Sequence, residues 1–202
     1  MTYKPLPYDI SDFRQIRTES LYFVDKSMYI ETMEQAGHFL FLIRPRRFGK
    51  SLFLSMLRYY YDINERENFP EMFKGLWVAE HPTPWQGKFQ VLHLDFSQVG
   101  GDIHALEENF DGYIRVQYRD FARRYAQYYP DYYLDELSRL TSASDIMSYV
   151  HTFARQQNHK LFLIVDEYDN FTNTVLNEQG EAIYHATVSY THLRAHETSQ
   201  DL

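Results

Sequence analysis

Two uninterrupted apolar runs, Phe39-Leu-Phe-Leu-Ile43 and Leu161-Phe-Leu-Ile-Val165, stand apart in a chain whose other hydrophobic positions mostly recur three and four residues apart. Short unbroken runs predict strands buried on both faces, as parallel sheets require when helices cover them. Val91 to Phe96 predicts a further strand. From Lys50 the apolar residues Phe53, Leu54, Leu57, Tyr60 and Tyr61 fall on one helical face, so a helix is expected to start there. A short helix is expected over Ser27 to Ala36, with Ser27 as N-cap and Gly37 ending it in a left-handed conformation. Ile103 to Tyr129 reads as helical until Pro130, Tyr132 to Leu140 continues as another helix, and Ser144 is expected to cap a third running to about Gln157. Two stretches carry proline without sustained period. The opening to Val24 reads as extended chain and turns, and Asn64 to Gly87 as a short helix followed by loop. Strands alternating with helices predict an α/β fold with a parallel sheet. There is no internal repeat or low-complexity segment.

Composition narrows the function. The 202 residues suffice for one ordinary domain with a real core. Tyr 18, Phe 15 and Trp 2 are a heavy aromatic load, so large flat side chains must fill much of the interior. A formal charge of −8 excludes a generally cationic surface for nucleic acid or anionic lipid, and any anion site must be local. Direct nucleic-acid binding by this segment is not expected. Cysteine is absent, which removes disulfides, thiolate metal sites and thiol nucleophiles. With apolar runs of only five residues and no signal-like N-terminus, the expectation is a cytoplasmic protein without a membrane span.

One local cationic stretch does occur. Arg44-Pro45-Arg46-Arg47-Phe48-Gly49-Lys50-Ser51 lies between a predicted buried strand and an amphipathic helix, the context a phosphate-binding loop needs. Backbone N–H groups of such a loop and of the helix N-terminus converge on one concavity whose partial positive charge holds phosphate oxygens. In this reading Arg46, Arg47, Phe48, Gly49, Lys50 and Ser51 are the nucleotide-binding residues. Gly49 admits close backbone approach, Lys50 sets its ammonium between β- and γ-phosphates, and the Ser51 hydroxyl ligates Mg²⁺. The standard pattern wants glycine where Arg44 stands. Pro45 fixes φ and biases Arg44 towards extended backbone, which substitutes preorganisation for flexibility. A basic strand-to-helix turn without a ligand is the competing reading.

Leu161-Phe-Leu-Ile-Val-Asp166-Glu167 delivers two adjacent carboxylates at the C-terminal end of a strand, where open α/β sheets bind ligands. Asp166 is the expected partner of the Ser51 hydroxyl in holding Mg²⁺. Glu167 is the expected catalytic residue, polarising the water that attacks the γ-phosphate. An exposed strand end with ordinary charges would show the same pair. Asp95 and Ser97 end another strand near the site. Tyr22 and Phe23 are candidates to stack on adenine, with core packing the better expectation.

These segments together resemble the bacterial AAA-ATPase-like family. Its members carry strings similar to Phe41-Leu-Ile-Arg-Pro-Arg-Arg-Phe-Gly-Lys-Ser51 and Val165-Asp-Glu-Tyr-Asp169, and the likeness includes Tyr22-Phe-Val-Asp-Lys26 and Leu94-Asp-Phe-Ser97. Members usually have Lys-Pro after the second string, where this chain has Asn170-Phe171. The resemblance implies a P-loop NTPase-like parallel sheet of the additional-strand type flanked by helices, incomplete here, binding ATP with Mg²⁺. In full-length members such a domain is often followed by a nuclease-like domain of the PD-(D/E)XK type, which is a candidate further partner here.

The end of the chain reads differently. Val188-Ser-Tyr-Thr-His-Leu-Arg-Ala-His-Glu-Thr198 resembles a translated sequencing-library adaptor, so residues 1–187 are expected to form the partial domain and 188–202 a non-native tail. His185, His192 and His196 then carry no chemistry. The leading functional expectation is an Mg²⁺-dependent ATPase module that drives or gates an attached effector. The alternative is an ATP-binding switch or scaffold with little or no hydrolysis, and oligomerisation is left open.

Overall fold

The structure, a computed structural model, describes residues 3–43, 45, 47–99 and 103–168. In chain order these form α1 (Phe13–Thr18), α2 (Tyr29–Ala36), α3 (Lys50–Tyr61), α4 (Phe69–Met72), α5 (Trp77–Glu80), β1 (Phe89–Asp95), α6 (Ile103–Arg124), α7 (Tyr133–Arg139), α8 (Ala143–Gln156) and β2 (Lys160–Asp166), with a 3₁₀ turn over Ile63–Asn68. The architecture is mixed α/β, with a parallel two-stranded sheet flanked by helices. Register runs from Phe89 opposite Lys160 to Asp95 opposite Asp166, so both strands end together and place a carboxylate each at the same end.

Side-chain alternation along the two strands explains the layers. Val91 and Ile164 are buried on one face with Phe53, Met56, Leu57 and Tyr60 of α3, and with Phe13 of α1. Leu92 and Leu94 are buried on the other, against Ile114, Tyr118 and Phe121 of α6 and Ile146 and Val150 of α8. Aromatic residues fill both halves, Phe13, Tyr60 and Phe73 in one and Tyr125 and Tyr133 in the other. Phe23 packs edge-to-face on Phe13, 5.4 Å between centroids, so it belongs to the core, while Tyr22 is exposed.

The tyrosines also close an edge. The outward N–H groups of Val91 and Asp95 on β1 donate to the hydroxyls of Tyr125 (2.8 Å) and Tyr113 (2.7 Å). A parallel strand leaves alternate amides unpaired at a sheet edge; here Tyr113 at the middle of α6 and Tyr125 just past its end satisfy two of them.

Several expectations need correction. Phe39 to Ile43 forms no strand: Phe39, Phe41 and Ile43 are 62%, 67% and 86% exposed, and only Leu42 packs against the core. A strand buried on both faces must enter a ladder, and among the described residues the ladder joins only β1 and β2. The opening segment is not all extended, because Asp12 accepts the Gln15 N–H at 2.9 Å and caps α1. Ser27 does not cap α2. Its hydroxyl accepts the Val78 N–H instead, and α2 begins after Met28. Gly37 follows α2 at φ 127°, ψ −175°, a glycine conformation outside the left-handed helical well. Ser142, not Ser144, caps α8 by accepting the Asp145 N–H at 3.1 Å. The expected tail over 188–202 lies outside the described residues, as do His185, Asp169, Arg44 and Arg46.

Candidate functional site

Gly49 sets the entry to α3. Its φ of 75° and ψ of 29° put it in the left-handed region that residues without Cβ adopt freely, and its carbonyl accepts the first helical bond, from Phe53 N–H at 3.0 Å. Arg47, two residues earlier, also has positive φ, 67°. Arg47 and Phe48 are exposed. Helix α3 therefore begins at Lys50 with the positive end of its dipole at the loop.

The second half of the site comes from β2. Because α3 packs on the sheet face that carries Ile164, the next residue of that face, Asp166, meets the first turn of α3. Lys50 Nζ lies 3.1 Å from Asp166 Oδ1 and 3.7 Å from Glu167 Oε1. Asp166 is 4% exposed. Burial opposes its ionisation, but hydrogen bonds from the Ser51 hydroxyl, the Lys50 ammonium and the Glu167 N–H outweigh that cost and hold its carboxyl below the usual carboxylate range. The Glu167 N–H reaches Asp166 Oδ1 at 2.9 Å because Glu167 turns the chain back at φ 53°, a conformation uncommon for a residue with a long side chain.

Asp95 flanks Asp166 on the neighbouring strand, in register, and His93 sits on the same face two residues earlier. Burial and the charge of Arg58 lower the His93 imidazole, against the opposing pull of Asp166 and Asp95, so His93 is neutral at physiological pH. The fold also brings to the loop Lys26, which the sequence marks as part of the family likeness but gives no role in the site. Its ammonium stands at Gly49, 4.0 Å from where a Cβ on that glycine would lie. No spacing rule connects Lys26 with the loop, and only tertiary packing shows the proximity.

The donor set suits a hard cation bound together with phosphate. Asp166 and Ser51 offer adjacent oxygens, the chemistry Mg²⁺ takes. Among the described residues no cluster of three or more His, Asp or Glu side chains forms a metal cage, so remaining ligands would come from substrate and water. Also among the described residues, no helix is long and apolar enough to cross a membrane.

A glycine-initiated helix facing a carboxylate-ended parallel strand defines a class, and comparison with known proteins specifies it. The model of the AAA-ATPase-like family, described as Predicted AAA-ATPase, matches residues 7–196, and the chain belongs to that family. It is 37% identical over 116 residues to an uncharacterized protein in the vnfD 5′ region of Azotobacter chroococcum mcd 1, covering 56% of this chain and 20% of that protein. The chain thus spans about a fifth of that relative's length. No solved structure matches.

Proposed function

We propose that this chain is an Mg²⁺-dependent ATP-binding and ATP-hydrolysing module of the P-loop NTPase type, which drives or gates an attached effector. The observation that carries the reading is the convergence of Lys50, Ser51 and Asp166 at the start of α3, 3.1 Å separating the Lys50 ammonium from the Asp166 carboxylate. Family membership supports nucleotide binding independently.

In this reading the N–H groups after Gly49 and the Lys50 ammonium hold phosphate oxygens, with Lys50 exchanging its carboxylate partners for phosphate. Arg46, Arg47 and Phe48 complete the loop around the nucleotide. Asp166 and Ser51 would hold Mg²⁺, which when bound neutralises charge on the terminal phosphates. Keeping Asp166 ionised is the local requirement, and the hydrogen bonds on its carboxylate serve it. Glu167, on the same turn and less buried, takes the role of orienting and deprotonating water for in-line attack.

Steady-state hydrolysis and equilibrium binding on two variants test these roles. Glu167→Gln is expected to keep ATP affinity within about threefold and to lower kcat by about 100-fold or more, the scale of a lost general base. Lys50→Ala is expected to lose binding and turnover together. Wild-type binding with no turnover, unchanged by Glu167→Gln, would favour a switch that binds without hydrolysing.

A further inference from the structure

Lys26 precedes α2 and is held by its neighbours rather than by its own charge. Asp25 accepts the Ser27 N–H at 2.8 Å through one oxygen and the Trp77 N–H at 2.7 Å through the other. Ser27, fully buried, accepts the Val78 N–H at 3.1 Å. Residues 25 and 27 are thereby fixed to the first turn of α5, and the half-buried Lys26 between them carries its ammonium to Gly49 instead.

The position adds a further positive charge to the phosphate loop. Lys26 stands at the positive end of α3, near a loop that also carries Arg47 and Lys50. Lys50 is compensated by Asp166 and Glu167, whereas among the described residues no carboxylate forms an ion pair with Lys26. Packing of the aliphatic stem would not require the ammonium to sit at the one residue where backbone approach is least hindered. A phosphate in the loop would meet the Lys26 ammonium at Gly49 and neutralise it.

We propose that Lys26 is a second ammonium ligand for the nucleotide phosphates, held over Gly49 by the Asp25 and Ser27 clamp. The inference rests on the nucleotide-site reading above and adds a binding residue to it.

The test is calorimetric titration of the full chain with ATP and Mg²⁺, for wild type, Lys26→Met and Lys26→Arg, beside thermal melts without nucleotide. Lys26→Met is expected to weaken ATP binding by roughly ten- to a hundredfold, the range for one charge-assisted hydrogen bond. Its nucleotide-free Tm should equal or exceed that of wild type, because an uncompensated cation has been removed from a helix N-terminus. Lys26→Arg should recover most of the affinity. Binding by Lys26→Met within about twofold of wild type, a weakening that arginine does not recover, or a weakening accompanied by a lower Tm would overturn the proposal. If wild type binds ATP and Lys50→Ala does not, while Lys26→Met binds normally, the proposal falls and the nucleotide site stands. If wild type binds no ATP, both fall.

Discussion

At the residue scale two buried aspartates show how environment sets charge, with opposite consequences for pH dependence. Asp166 has its carboxyl held below the usual value despite burial, because Ser51, Lys50 and the Glu167 N–H bond the ionised form. Its contribution to stability is therefore fully present above the unfolded value near 3.8 and is lost as pH falls through the lower folded value. Asp62 runs the other way. Burial pushes it up, against the Arg124 guanidinium at 2.5 Å and the Asn64 N–H, so its ionisation costs stability above the raised folded value. That cost disappears as pH falls towards 3.8. Denaturant titrations from pH 7 to pH 3 should show the stability gap between wild type and Asp166→Asn narrowing at the acid end. For Asp62→Asn the stability relative to wild type should fall with acidification. The same slope for both variants would contradict this assignment. The placement of Gly49, Lys50 and Ser51 at a helix start and of Asp166 and Glu167 at a strand end was legible in the sequence, because each string sits next to an element boundary. Lys26 was not, since nothing local connects it to a loop more than twenty residues on.

At the scale of elements, helical periodicity located α3, α6, α7 and α8, and short apolar segments located both strands of the sheet, although β2 is not buried on both faces as its unbroken run predicts, Leu163 being 55% exposed. Reading an apolar run as a strand failed at Phe39 to Ile43. An apolar run reports that burial would be favourable, but a strand also needs a hydrogen-bonding partner, and pairing is a non-local property. The cap at Ser142 was missed because neighbouring serines could serve and packing chooses between them, and that at Asp12 because the six-residue α1 it starts is too short to show a period. The tyrosine closure of β1 was invisible in the sequence because Val91 and Tyr125 meet only in the folded chain. It makes a clear prediction. Tyr125→Phe leaves the Val91 N–H buried without its partner and should cost about 1–3 kcal/mol in urea unfolding, the penalty for an unsatisfied buried donor. A loss below about 0.5 kcal/mol would mean that the hydroxyl does not close this edge.

For the whole molecule, charge and topology point to one end of the sheet. The chain carries −8 overall, yet Lys26, Arg47 and Lys50 gather where β1 and β2 end in Asp95 and Asp166. Among the described residues, with β1 closed by tyrosines, the sheet's other edge is that of β2, and two residues past its end Tyr168 meets Phe41 edge-to-face at 6.2 Å. The most direct measurement is calorimetric titration of Mg²⁺ and ATP into wild type and Lys50→Ala under identical conditions. Saturable binding near one nucleotide per chain in wild type, weakened at least 100-fold in the variant, is the expected result. Equal affinity in the two proteins would place the nucleotide elsewhere and contradict the account.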